Sequence, residues 1–107
     1  MRESTLKREI FMLGLSPRHK GFHYICAALI DLMNDEEHRD ASLSLKRLAE
    51  VRHLDSKRAE CCMRYAIRYA WDVSGGRIRE LFPDSALPPT PIEFMHAMQW
   101  RLEEEML

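Results

Sequence analysis

LKRLAEVRHLDSKRAECCMRYAIRYAW, from Leu45 to Trp71, decides how this chain is read, because its apolar residues recur at helical spacing in two runs separated by a short corner. Leu45, Leu48, Ala49 and Val51 make the first apolar face, and a second run begins after Asp55, a residue whose carboxylate suits the start of a helix. In that second run Ala59, Cys62, Met63, Ala66, Ile67 and Ala70 step by three and four residues, which predicts one continuous buried stripe. At about 100° per residue, Lys57, Cys61, Arg64 and Arg68 fall in one outward column, with Arg58 and Tyr65 on one edge and Glu60 on the other. Two helices that pack through small residues, Ala49 and Ala59, and present a basic outer column are what a DNA-reading helix-turn-helix requires, placed here at about residues 43–72. His53 occupies the corner position where a glycine is often found. The other reading of the same pattern is a solvated amphipathic helix, whose outer face is charged for no further reason.

Working outward from this pair, 107 residues allow one domain with one modest core, and 46% hydrophobic with 31% charged residues is an ordinary globular composition. No apolar run approaches the roughly 20 residues that span a bilayer, and the N-terminus MRESTLKREIF resembles no secretory signal. Three cysteines, two of them adjacent, make no disulfide framework, so a cytoplasmic protein is expected. A net charge of −1 argues against a general nucleic-acid glue. The distribution says more than the sum: the basic residues Lys46, Arg47, Arg52, Lys57, Arg58, Arg64, Arg68, Arg77 and Arg79 outnumber the acids between 46 and 79, while acid gathers at 35–37 and 103–105.

Before the organising pair, a helix over about Thr5 to Leu13 is predicted, capped by Ser4 or Thr5, with Leu6, Ile10 and Leu13 inward and Gly14 closing it in the left-handed conformation. Ser16-Pro17 reads as the start of a second helix carrying Phe22, Ile25, Cys26, Leu29, Ile30, Leu32 and Met33 to about Asn34, apolar enough to be central. Residues 34–42 form a polar connection. After Trp71, Ser74, Gly75 and Gly76 break the helix, a short helix from Arg77 to Leu81 follows, and PDSALPPTP is a stiff extended connection. Thr90, Pro91 and Glu93 have the spacing of a capping box for a last helix with Phe94, Met95, Met98 and Leu102 inward. Trp71 and Trp100 are expected to be packing residues, and the seven methionines to fill core gaps. With no alternation at period two, the expected fold is an all-α bundle of five or six helices in a single domain, residues 1–107.

Catalytic and metal chemistry find little support. His19 and His23 are four apart, but tetrahedral zinc wants two more ligands, and neither CxxC nor HExxH occurs. Gly75-Gly76 lacks the lysine of a phosphate loop. No cofactor, metal or small-molecule substrate is expected. Cys62 points inward as core. Cys61 points outward beside Lys57, Arg58 and Arg64, which leaves a reactive thiol open as a side reading.

Three stretches in order resemble the C-terminal DNA-binding domain of the sporulation initiation response regulator of endospore-forming bacteria. They are Lys20-Gly21-Phe22-His23-Tyr24-Ile25 through Ala28-Leu29 to Asn34-Asp35; Ser56 to Trp71, with Arg58, Glu60, Arg64, Ala66, Ile67, Ala70 and Trp71, then Leu81-Phe82; and Pro89-Thr90 with Glu93-Phe94. The resemblance implies a six-helix domain of the response-regulator effector, winged-helix-like kind that binds double-stranded DNA as a dimer. Carried over by position, Arg58, Glu60 and Arg64 contact DNA. Cys61 stands where the family has a guanine-reading arginine, Tyr65 replaces a histidine and Arg68 an acid. A thiol cannot make the arginine's paired contact, worth about 1 to 3 kcal/mol of discrimination, so a different target sequence is expected. The family's phosphoacceptor receiver domain has no counterpart in these residues.

The base-reading candidates are therefore Lys57, Arg58, Glu60, Cys61, Arg64 and Tyr65. The phosphate candidates are Lys46, Arg47, Arg52, Ser56 and Arg68, which orient a protein without specifying sequence. The alternative from another class is a protein-interaction module that pairs with a related regulator and antagonises it.

Overall fold

Leu6, Ile10 and Leu13 turn one side of the first helix inward, and the same three- and four-residue spacing builds each later helix. The computed structural model describes residues 2–36, 39–73 and 77–105. In order these form α1 (Glu3–Met12), α2 (Lys20–Asn34), α3 (Ala41–Val51), α4 (Ser56–Val73), a 3-10 helix (Arg77–Leu81) and α5 (Pro91–Glu105). Among the described residues there is no strand. The all-helical expectation holds. No helix of the described residues is long and apolar enough to cross a membrane.

The second helix is the axis of the fold, and it packs on every other α-helix. Gly21, Phe22, Ile25, Cys26, Ala28, Leu29 and Leu32 are all buried along it, so apolar surface covers most of its circumference. Its largest neighbour is α4, whose buried stripe is Ala59, Met63, Ala66, Ile67, Ala70 and Trp71. α5 closes the core with Phe94, Met95, Met98 and Leu102, each fully buried. Each such side chain contributes about 1.5–3 kcal/mol by leaving water.

Several helix ends follow from local chemistry. Gly14 has φ 108°, the left-handed geometry that a glycine supplies at little cost, and its N–H donates to the Phe11 carbonyl at 2.9 Å. Asp40 caps α3, its carboxylate accepting from the backbone N–H of Ser42 at 2.9 Å and Leu43 at 3.4 Å. Asp55 accepts from the Lys57 N–H at 3.2 Å and so opens α4, as its position suggested. At α5 the capping box is complete: the Glu93 N–H donates to Thr90 Oγ1 at 3.2 Å, and the Thr90 N–H donates to Glu93 Oε1 at 2.9 Å. These bonds hold the Glu93 carboxyl below the usual carboxylate range. Where α4 finishes, Arg79 Nε donates to the Trp71 carbonyl at 3.0 Å, and its guanidinium lies 4.7 Å from the centre of the Trp71 ring.

Six expectations are corrected, one of them at Met12, which is exposed at the end of α1 and fills no core gap. The first helix already runs at Glu3, with Arg2 at the N-cap and no side-chain cap, so neither Ser4 nor Thr5 performs that role. The second begins at Lys20, not at Ser16-Pro17. Those residues form a turn in which the His19 N–H donates to the Ser16 carbonyl at 3.0 Å, with Pro17 at the position its fixed φ favours. Val51 is 75% exposed, because it lies at the margin of the α3 stripe and rims a depression between α2 and α3. Trp100 is 67% exposed, since two residues beyond buried Met98 carry it about 200° round α5. Cys62 is half-buried, at the edge of the stripe on α4. Ser74, Gly75 and Gly76, expected to break α4, lie outside the described residues.

Candidate functional site

The outer side of α4 owes its character to the inner. With Ala59, Met63, Ala66, Ile67 and Ala70 buried along one stripe, residues about 180° round the helix must face outward. Lys57, Arg58, Cys61, Tyr65 and Arg68 are exposed, and Glu60 and Arg64 are half-exposed. The structure thus brings together, on one helix face, all six residues proposed for base contact, and adds Ser56 and Arg68 at its ends.

Two ridges flank that face. On one side the turn before α2 makes a depression of about 400 Å³ lined by Arg18, His19, Lys20, Gly21, Cys61, Cys62 and Tyr65. The close approach there is made by backbone: a Cβ on Gly21 would lie 1.9 Å from the Cys62 carbonyl oxygen, so only glycine admits α2 this near to α4. His19 stands edge-on to Tyr65 and Tyr69, with ring centres 5.0 and 4.8 Å apart. On the other side a groove of about 490 Å³ runs between Arg64 and Arg68 and the residues Phe82, Leu87, Pro88, Pro89, Thr90 and Glu93. The proline-rich segment is therefore the far wall of the α4 face.

The cations differ in what holds them. Arg64 pairs with Glu60 one turn earlier at 2.5 Å, with the acid N-terminal to the base, the favourable order on a helix. That pair orients the Arg64 guanidinium while leaving donors free. Lys57, Arg58 and Arg68 make no side-chain hydrogen bond or ion pair among the described residues. Arg47, a phosphate candidate, is tied instead to α2. Its Nε and a terminal nitrogen donate to Asp31 at 2.9 and 2.6 Å, and the same nitrogen donates to Asp35 at 2.8 Å. Those bonds raise its pKa above the ordinary arginine range. Its first role is to fasten α3 to the end of α2. Arg52 lies 5.7 Å from the centre of the Tyr24 ring, and Lys46 is exposed on α3.

Sequence reasoning missed Arg18, His19 and Lys20 as neighbours of this face. The usable signal was Ser16-Pro17, which fits a β-turn as well as a helix start. Burial pushes the Cys26 thiol up to about 12, whereas Cys61 lies open on α4. Among the described residues no group of three or more His, Cys, Asp or Glu is arranged to hold a metal ion. No protein-family model matches the chain, and no curated protein matches it.

Proposed function

We propose that this chain is a sequence-specific DNA-binding transcription regulator that reads the major groove with the N-terminal half of α4. The observation that carries the reading is the cluster of exposed Lys57 and Arg58, free of acidic partners among the described residues, on the side of α4 opposite its buried stripe. A helix is about 10–12 Å across with its side chains, and the major groove is about 12 Å wide. α3, the corner 52–55 and α4 serve as the helix-turn-helix, a reading supported by buried Ala49 and Ala59, by His53 with φ 56° at the corner and by the Asp55 cap. The ordered likeness of Lys20–Asp35, Ser56–Phe82 and Pro89–Phe94 to the sporulation regulator's DNA-binding domain supports the same function, with Cys61 shifting the preferred sequence.

Lys57, Arg58, Arg64 and Tyr65 face base edges in this account, with Glu60 orienting Arg64, while Ser56, Arg68, Lys46 and Arg52 meet phosphates. Fluorescence anisotropy on duplexes selected from a random pool, at two salt concentrations, tests it. Binding that weakens steeply with salt is expected. Absent or salt-indifferent binding overturns it. Arg64→Ala should weaken the selected site more than random DNA, whereas equal losses demote Arg64 to a phosphate contact.

The second reading, a protein-interaction module, is favoured by Trp100, exposed on α5 beside His96 and the Arg39–Glu103 ion pair. A protein partner that survives nuclease treatment in a pull-down, and is lost with Trp100→Ala, selects that reading instead.

A further inference from the structure

We infer that the turn before α2 is a second DNA-contacting element, in which Arg18 and Lys20 grip the phosphodiester backbone at one rim of the groove that α4 enters; this rests on the DNA-binding reading above. Both side chains are exposed, and neither pairs with a carboxylate among the described residues. Together with Cys61 and Tyr65 they line one depression, so their charge lies directly beside the outward face of α4. A helix that fills a groove of about 12 Å leaves the two sugar-phosphate strands against whatever flanks it, and cations on the flank meet phosphate there.

The turn is built to hold that position. The Arg18 N–H donates to Ser16 Oγ at 3.2 Å, the His19 N–H donates to the Ser16 carbonyl at 3.0 Å, and His23 Nε2 donates to the Pro17 carbonyl at 2.8 Å. His19 then lodges against Tyr65 and Tyr69, and the next element begins at the Gly21–Cys62 backbone contact. The turn and α4 are therefore seated on each other directly. Little ordering remains for binding to impose, which is how a cation on a rigid mount gains affinity over one on a loose loop.

The test is the salt dependence of anisotropy on a random-sequence duplex, for the whole chain and two double variants. Arg18→Gln with Lys20→Gln should reduce the slope of log affinity against log salt by about 2, since each phosphate contact contributes about 0.9. Arg2→Gln with Arg8→Gln removes the same charge from exposed positions on and before α1 and should leave the slope unchanged. Circular dichroism confirms that both variants fold. If the wild-type chain binds and the Arg18/Lys20 variant keeps its slope, or the Arg2/Arg8 variant loses as much, the inference fails while the function stands. If the wild-type chain shows no salt-dependent binding, both fall.

Discussion

The central helix α2 and its neighbour α4 use their surfaces in opposite ways. α2 is buried along most of its length, and the acids at its C-terminal end are engaged, Asp31 and Asp35 by Arg47. α4 buries one stripe and leaves Lys57, Arg58 and Arg68 to solvent. The contrast teaches that a local excess of arginine is not a binding surface until the acids that could consume it are located. Arg47 and Arg58 are eleven residues apart in the chain and look alike in sequence, yet one is a fastener and the other is available.

Thiol chemistry gives the widest separation between the two helices. With Cys26 pushed up to about 12, only about one molecule in ten thousand carries its thiolate at pH 8, before its burial is considered. Iodoacetamide followed by peptide mass mapping should mark Cys61 in the native protein and Cys26 only after unfolding. Native labelling of Cys26 at a similar rate would erase the distinction.

Next in size is the point where the helices meet. Gly21→Ala sets a methyl against the α4 backbone, which has no rotamer with which to yield, and should cost about 3 kcal/mol or more in urea unfolding. A loss below about 1 kcal/mol would mean that α2 and α4 slide apart easily. The arginine comparison is sharper still in what it decides. Arg58→Ala should cost about 1–3 kcal/mol of discrimination between selected and random duplexes. Arg47→Ala should leave the salt slope in place and weaken the protein's resistance to urea. Reversal of that pattern would return Arg47 to the phosphate contacts.

The smallest effect comes from α5, which touches both helices. Thr90→Ala removes half of the capping box and should cost about 1 kcal/mol without changing DNA affinity more than twofold. Because Glu93 titrates lower in the folded chain than unfolded, its contribution is present above the unfolded carboxylate pKa and is lost as pH falls through the folded value. The variant's acid unfolding should lack part of that dependence, as followed by circular dichroism.

Much of this architecture was legible in the sequence because it depends on near neighbours. The stripes of α1, α4 and α5, the Asp55 cap and the Thr90–Glu93 box all lie within a few turns of chain, where spacing translates directly into direction. The outer column of α4 was legible for the same reason. What escaped depended on distant partners. Asp31 and Asp35 lie sixteen and twelve residues before Arg47, so nothing local marks their pairing. Trp100 is large and aromatic, and its exposure follows only from which side of α5 meets the core. Arg18 and Lys20 were hidden by a proline that serves a turn and a helix start equally well.

The missing methyl at position 21 has a bearing on how this scaffold tolerates rewriting. Because main chain abuts main chain there, the register of the penultimate long segment is set by atoms that every amino acid shares. Side chains at 57, 58 and 61 can consequently be exchanged at about 0.5 kcal/mol or less apiece, while the frame beneath them, which includes Tyr65 against His19, stays put. On the proposed DNA-binding reading, a library randomised at those three places would sample target preferences on one unchanged mount.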